Sequence, residues 1–177
     1  VTTGRLEKMS KSKKNVVDPS VVVEEYSADT ARLLLLSDSP PERDLEWSSA
    51  GVEGSFKYLA RIYQLVHNFT GNGEVGEFKN AHFMINQTIA AVTEDYERFH
   101  FNRAIARIRE LTNFIADNEA KLPNNVLKES LETVVRLLNP VAPHITEELW
   151  EALGNKQPLI QTKWLVAKPE FLVKDVV

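Results

Sequence analysis

Apolar residues recur every three or four positions along most of this chain, a spacing that predicts helices. The plainest case opens at Ser48 or Ser49. There Phe56, Leu59, Ile62, Tyr63, Val66 and Phe69 share one face, and Lys57, Arg61, Gln64 and Asn68 fall opposite. A second long stripe, from about Asn80 to Arg98, carries Ile85, Ile89, Val92, Tyr96 and Phe99. Asn102 is positioned to cap a third, lined by Ile105, Ile108, Thr112 and Ile115. A fourth runs from about Asn125 to Leu138 through Leu127, Leu131 and Val134. Pro140 and Pro143 interrupt it, because a proline inside a helix removes a donor and clashes with the preceding turn. "HITEELWEAL" then forms a short last helix stopping at Gly154. Upstream, Asp18 as cap and Pro19 at the first helical position begin a short helix to about Tyr26. "ADTARLLLLS" follows as a largely buried helix, and Pro40-Pro41 stiffen the next loop. Strand alternation is weak throughout, with residues 1–7 and 158–166 the only candidates.

Long amphipathic helices joined by short loops predict an all-α fold, an antiparallel helical bundle. The division expected is a loop and connecting helical segment over residues 1–47, the bundle over 48–154, and a tail over 155–177. The 177 residues contain no cysteine, which excludes disulfides, thiolate metal sites and cysteine nucleophiles. No apolar run reaches the length of a membrane span and no leader precedes the first helix, so a cytoplasmic protein is expected. The opening "VTTGRLEK" does not look like a natural start, so the chain is expected to be part of a longer protein.

Charge changes the picture at one place. The first fourteen residues hold Arg5, Lys8, Lys11, Lys13 and Lys14 against Glu7, a net +4. The whole chain is −4, so the remainder carries −8. A basic strap on an acidic body reads as a local device and not as a globally basic nucleic-acid binder. Other motifs are weaker. Gly71-x-Gly73-x-x-Gly76 fits a dinucleotide fingerprint, but that mechanism needs a strand leading into a helix. Here the glycines follow a helix, so a C-cap and flexible hairpin is the expectation. His67, His82, His100 and His144 show no metal-ligand spacing, and no metal site is expected. His144 is expected to satisfy nearby backbone groups, and Trp47, Trp150 and Trp164 to act as core or interface anchors.

The strap spells Lys8-Met9-Ser10-Lys11-Ser12. A given pentapeptide arises by chance in roughly one in twenty thousand chains of this length. This KMSKS sequence resembles the second signature of class I aminoacyl-tRNA synthetases. The resemblance continues through Pro40-Pro41-Glu42, Leu45-Glu46-Trp47 and Gly51-Val52-Glu53-Gly54, which look like the leucyl branch of that family. "YERFHFNRAIARIRELTNF" and "NPVAPHITEELWEALG" are similar to its helical anticodon-binding domain. The chain departs from the usual pattern at Lys14 and Ser27, where relatives carry glycine, and at Trp164-Leu165, where Trp-Pro is common.

The resemblance implies a ligase that activates leucine with ATP and passes it to tRNA-Leu. By resemblance, Lys11 and then Lys8 act at the ATP phosphates as catalytic groups. Ser10 and Ser12 complete the nucleotide-binding loop, and Asp18-Pro19 anchors it to a helix. ATP with Mg2+ is then substrate, with no tightly bound cofactor in this piece, and the protein is a monomer. Lys57, Arg61, Arg103 and Arg107 are the candidate tRNA contacts, the last two weakened by Glu110. The synthetase core with its HIGH signature is missing from these residues, so this piece alone is expected to be inactive. Two other readings stay open: a valyl or isoleucyl relative, and a free-standing helical interaction module whose basic strap binds nucleic acid.

Overall fold

The computed structural model of the protein describes residues 7–40 and 42–172. Six of the seven residues of the first weak strand candidate, and Pro41, lie outside the described residues. The rest is helical. Seven α-helices follow in order: α1 (Pro19–Glu25), α2 (Ala28–Asp38), α3 (Ser49–Asn68), α4 (Lys79–Glu97), α5 (Phe101–Asn118), α6 (Asn124–Leu138) and α7 (Pro143–Ala152). Among the described residues there is no strand. The tail over 158–166 contains a 3-10 turn, Leu159–Gln161, and not the weak strand that its sequence suggested. No helix among the described residues is long and apolar enough to cross a membrane.

Helices α2 to α7 share one core, with α4 packed on α5 and α6, and α3 on α2 and α7. Ile105, Ile108, Leu111 and Ile115 of α5 and Leu131, Leu137 and Leu138 of α6 lie at its centre, almost without solvent contact. Each such side chain contributes about 1.5–3 kcal/mol on burial. Tyr58 closes one side; its hydroxyl lies 3.1 Å from that of Thr112, and burial pushes its pKa up to about 12. Helix α2 is tied to this core by Leu33, which is fully buried. A second, smaller cluster of Val22, Leu34 and Val52, with Val17, Tyr26 and Trp47 at its edge, carries α1 against α2 and α3.

The stripe of α3 departs from the one that periodicity predicts, while those of α5 and α6 face the core as expected. On α3, Phe56 and Tyr63 face solvent, while Tyr58 and Leu65 take the core positions. Tyr63 instead stacks on His67, with ring centroids 3.8 Å apart. Helix α2 is less buried than its four leucines suggest, since Leu35 points outward. Asn102 does not cap α5. The helix starts two residues earlier, at Phe101 with His100 at the cap, placing Asn102 in the first turn. The reason is the preceding corner. Phe99, expected on the α4 stripe, sits past its end at φ 58°. The amide of His100 donates to the carbonyl of Asp95, and that of Phe99 to Tyr96, which closes α4 in the usual left-handed way with phenylalanine in place of glycine.

The glycine loop is not a free hairpin. Asn124 at the start of α6 donates its side-chain amide to the carbonyl of Gly71 and its backbone amide to Glu74. The Asn125 side chain both accepts from the amide of Gly76 and donates to its carbonyl. The Asn125 side chain thus takes the Gly76 amide that a bound anion would need.

Both positions where glycine was expected have left-handed backbones. Lys14 is at φ 53° and Ser27 at φ 149°. The second lies in a region that only glycine enters cheaply, at a cost of about 1–3 kcal/mol for other residues. Ser27 recovers part of that by capping α2, its hydroxyl accepting from the amide of Thr30 at 3.1 Å. Ser27→Gly removes the strain, loses only a few tenths of a kcal/mol of capping and loosens the unfolded chain. It is expected to stabilise the protein by about 1 kcal/mol, whereas Ser27→Ala keeps the strain, loses the cap and destabilises by about 1 kcal/mol. Urea unfolding of the two variants checks the opposite signs.

Candidate functional site

The lysine strap folds on itself. Ser10 caps a single 3-10 turn, Lys11–Lys13, and its hydroxyl accepts from the amide of Lys13. Asn15 reaches back across the loop, its side chain accepting from the amide of Ser10 at 2.8 Å and donating to the carbonyl of Lys8. The hydroxyls of Ser10 and Ser12 lie 3.2 Å apart. Lys13 is held by Glu7 at 3.2 Å. Lys8 and Lys11 are exposed, and among the described residues neither forms an ion pair. Two ammonium groups therefore project from a turn that the serines and Asn15 have already shaped. The far end is fixed as expected. Asp18 caps α1, accepting from both the amide and the hydroxyl of Ser20, and these bonds hold its carboxyl below the ordinary range.

The turn rides on α1, and α1 rides on α2. Helix α2 meets the bundle through polar contacts that periodicity could not disclose. Asp29 in its first turn is almost wholly buried. Its two oxygens accept from His144 Nδ1 at 2.9 Å and from the amide of Ile145 at 2.7 Å, both at the start of α7. One turn on, Arg32 donates from Nε to the carbonyl of Val141 and from Nη2 to that of Pro140, each at 2.9 Å. His144 therefore serves the Asp29 carboxylate and not its own helix end. Beside this joint lies an open cleft of about 640 Å³, with Tyr26, Phe56, Tyr63 and His144 on its walls.

The four candidate bundle cations divide into two kinds. Lys57 and Arg61 lie exposed on α3; Lys57 pairs with Glu53 at 3.2 Å, and Arg61 donates to the Asn113 side chain at 2.7 Å. Arg103 and Arg107 instead converge on Asp95, a carboxylate only 3% exposed. Arg107 Nε sits 2.7 Å from one of its oxygens and Arg103 Nε 3.2 Å from the other. Spacing alone points to Glu110 as their neighbour; the fold supplies Asp95 from α4. Trp150 is an anchor, buried with its indole donating to Gln157. Trp164 is half exposed and bonds the Thr93 hydroxyl. Among the described residues no group of three or more histidines and carboxylates could hold a metal ion.

Comparison with known proteins concerns the chain as a whole. Residues 79–177 match the family model described as the anticodon-binding domain of tRNA ligase, and residues 1–48 that of class I tRNA synthetases (I, L, M and V). The leucine–tRNA ligase of Paramagnetospirillum magneticum is 47% identical over 186 positions, covering 100% of this chain and 22% of that protein. That of Geotalea uraniireducens is 49% identical over 171 positions, covering 89% of this chain and 21% of that protein. Among solved structures, a ternary complex of Agrobacterium radiobacter K84 agnB2 LeuRS, tRNA and LeuAMS superposes with a TM-score of 0.86 at 34% identity. The match covers 94% of this chain and 23% of that one. The chain thus spans about a fifth of the length of these relatives.

The Asp95 cluster joins α4 to α5 and gives the corner its shape. Removing one arginine leaves a buried carboxylate half-compensated, while the remaining guanidinium is well exposed and screened. Arg107→Ala is expected to destabilise the chain by about 2 kcal/mol and Arg103→Ala by less than about 1 kcal/mol. Thermal unfolding of the pair checks the order.

Proposed function

The chain belongs to the family of tRNA-ligase anticodon-binding domains, and on that premise we propose that it supplies the ATP-phosphate loop and the tRNA-docking bundle of a leucine–tRNA ligase. The observation that carries the reading is the pair Lys8 and Lys11, exposed and without ion pairs among the described residues on a preshaped turn that bears the KMSKS sequence. The relatives that match across the chain carry the name leucine–tRNA ligase, which favours this reading over a valyl or isoleucyl enzyme and over a free-standing module.

In leucine activation the amino-acid carboxylate attacks the α-phosphate of ATP, forming leucyl-adenylate and expelling pyrophosphate. Negative charge grows on the departing oxygens. Cations positioned where that charge develops lower the barrier more than they tighten the ground state. Lysine suits this task because its ammonium is a compact charge on a flexible stem. Lys11 acts as the main phosphate contact and Lys8 as the second. Ser10 and Ser12 keep the turn closed or donate to phosphate when it opens. ATP arrives with Mg2+ as its counterion, and the described residues offer no cluster of their own for the ion. The domain division follows: loop and connector over 1–47, bundle over 48–154, tail over 155–177, in a cytoplasmic and monomeric enzyme.

Lys57 and Arg61 are assigned to tRNA phosphates, because both are exposed on one face of α3 and Arg61 is held only by a neutral amide. Arg103 and Arg107 keep a secondary place, since each spends its Nε on Asp95.

Two measurements on the full-length ligase test these roles. Lys11→Ala is expected to slow leucine-dependent pyrophosphate exchange by ~10²–10³-fold with little change in KM for leucine; normal turnover contradicts the assignment. In a salt titration of tRNA binding, Arg61→Ala and Lys57→Ala are each expected to reduce the log–log slope by about one. Unchanged slopes remove those residues from the interface.

A further inference from the structure

The geometry points to Asp29 and Arg32 as positioning residues for the lysine loop, an inference that rests on the function proposed above. Among the described residues the loop makes no hydrogen bond or ion pair to the bundle that could orient it. Its hydrogen bonds and its ion pair run between residues 7 and 20, and Val17 joins only the small cluster around Val22, Leu34 and Val52. Its aim relative to the bundle is therefore set by α1, and the aim of α1 by α2.

Leu33 and Leu36 hold α2 against the main core and Leu34 packs with Val22 and Val52, but apolar contacts carry no direction and leave small shifts of tilt and rotation open. Asp29 and Arg32 supply what is missing. They stand three residues apart, on one face of the helix. Each meets the kind of backbone group that its charge suits. Helix α7 begins after Ala142, which offers no side-chain cap, so its first amides lack a local acceptor. The Asp29 carboxylate takes the amide of Ile145 and the ring N–H of His144. Just before them, the carbonyls of Pro140 and Val141 lie past the end of α6, where a cation is favoured, and Arg32 takes both. An anion on amides and a cation on carbonyls cannot be exchanged or slid by a turn without leaving buried groups unpaired. The bracket thus admits one setting of α2, and so one direction for the turn that carries Lys8 and Lys11.

The joint has room beside it. The cleft next to Asp29 leaves the α1–α2 connection without close packing on that side, and Ser27 in that connection is already strained. Loss of the bracket therefore lets α2 pivot about Leu33 instead of unfolding the bundle.

The test is a mutant cycle in the full-length ligase, read by pyrophosphate exchange, with thermal unfolding as the control. Asp29→Asn is expected to lower kcat by about tenfold and leave KM for leucine within about twofold. Arg32→Lys, which keeps the charge but cannot span both carbonyls, is expected to act in the same direction while remaining folded. In the Lys11→Ala background, Asp29→Asn is expected to add less than about twofold, because the group that it aims is gone. Full multiplication of the two effects overturns the inference and leaves the function proposed for Lys11 standing. So does an Asp29→Asn enzyme with normal kcat, or an Arg32→Lys enzyme that fails to fold. If Lys11→Ala itself turns over normally, the function proposed for the loop fails, and the inference with it.

Discussion

One buried carboxylate organises the joint between the bundle and the helices that carry the lysine loop. An ionised group removed from water costs several kcal/mol unless charge partners and hydrogen bonds replace its hydration. Asp29 meets that condition by standing between two helix beginnings. It lies in the first turn of α2, where the helix dipole favours an anion, and it accepts from the first turn of α7. The start of α7 is incomplete without it, because alanine stands where a capping residue would be, whereas α2 is capped by its own Ser27. Arg32 repeats the arrangement with the opposite sign on the neighbouring carbonyls.

From that joint the structure separates into a rigid body and a carried part. The bundle is held by ordinary burial, with α5 and α6 supplying most of the side chains that never meet water. The strap beyond α1 is held by its own short-range bonds and buries nothing. A loop of this kind can keep its local shape while it moves, which suits the phosphate contact proposed for it. The polar bracket then decides where that unit points, and the shape of the bundle decides where the bracket sits.

Much of this was legible in the sequence, and the failures have physical reasons. Helix positions followed from periodicity and from Asp18-Pro19, Ser48 and the Pro140–Pro143 break, because those signals are local. Which residues face the core was less legible on α3, where Tyr58 and Leu65 displace Phe56 and Tyr63: several angles are compatible with a helix that is apolar over a wide arc. The start of α5 was misread because Asn102 is a good cap, yet the corner is set by the closure of α4 through Phe99 and His100. The lysine loop was legible as a motif, a matter of residue order and not of fold. Asp29 and Arg32 were not found, since their partners lie more than a hundred positions away, and Asp95 was not found because its arginines stand on the next helix. A signal was present nonetheless: Asp29 and Arg32 interrupt an otherwise apolar helix at a spacing that puts both on one face, and charges so placed require partners. The glycine run misled in the opposite sense, because Asn124 and Asn125, which stitch it down, stand about fifty positions away.

The central claim is that the Asp29 carboxylate locks α2 to α7, and native-state hydrogen exchange at the Ile145 amide tests it most directly. That amide lies in the first turn of its helix, where no intrahelical acceptor exists, so protection there comes from Asp29 alone. The account predicts that it opens only with a large part of the bundle, at a free energy near that of Ile108 in the core and far above that of the amides in residues 8–16. An Ile145 amide that exchanges as fast as the loop, while Ile108 stays protected, would contradict it.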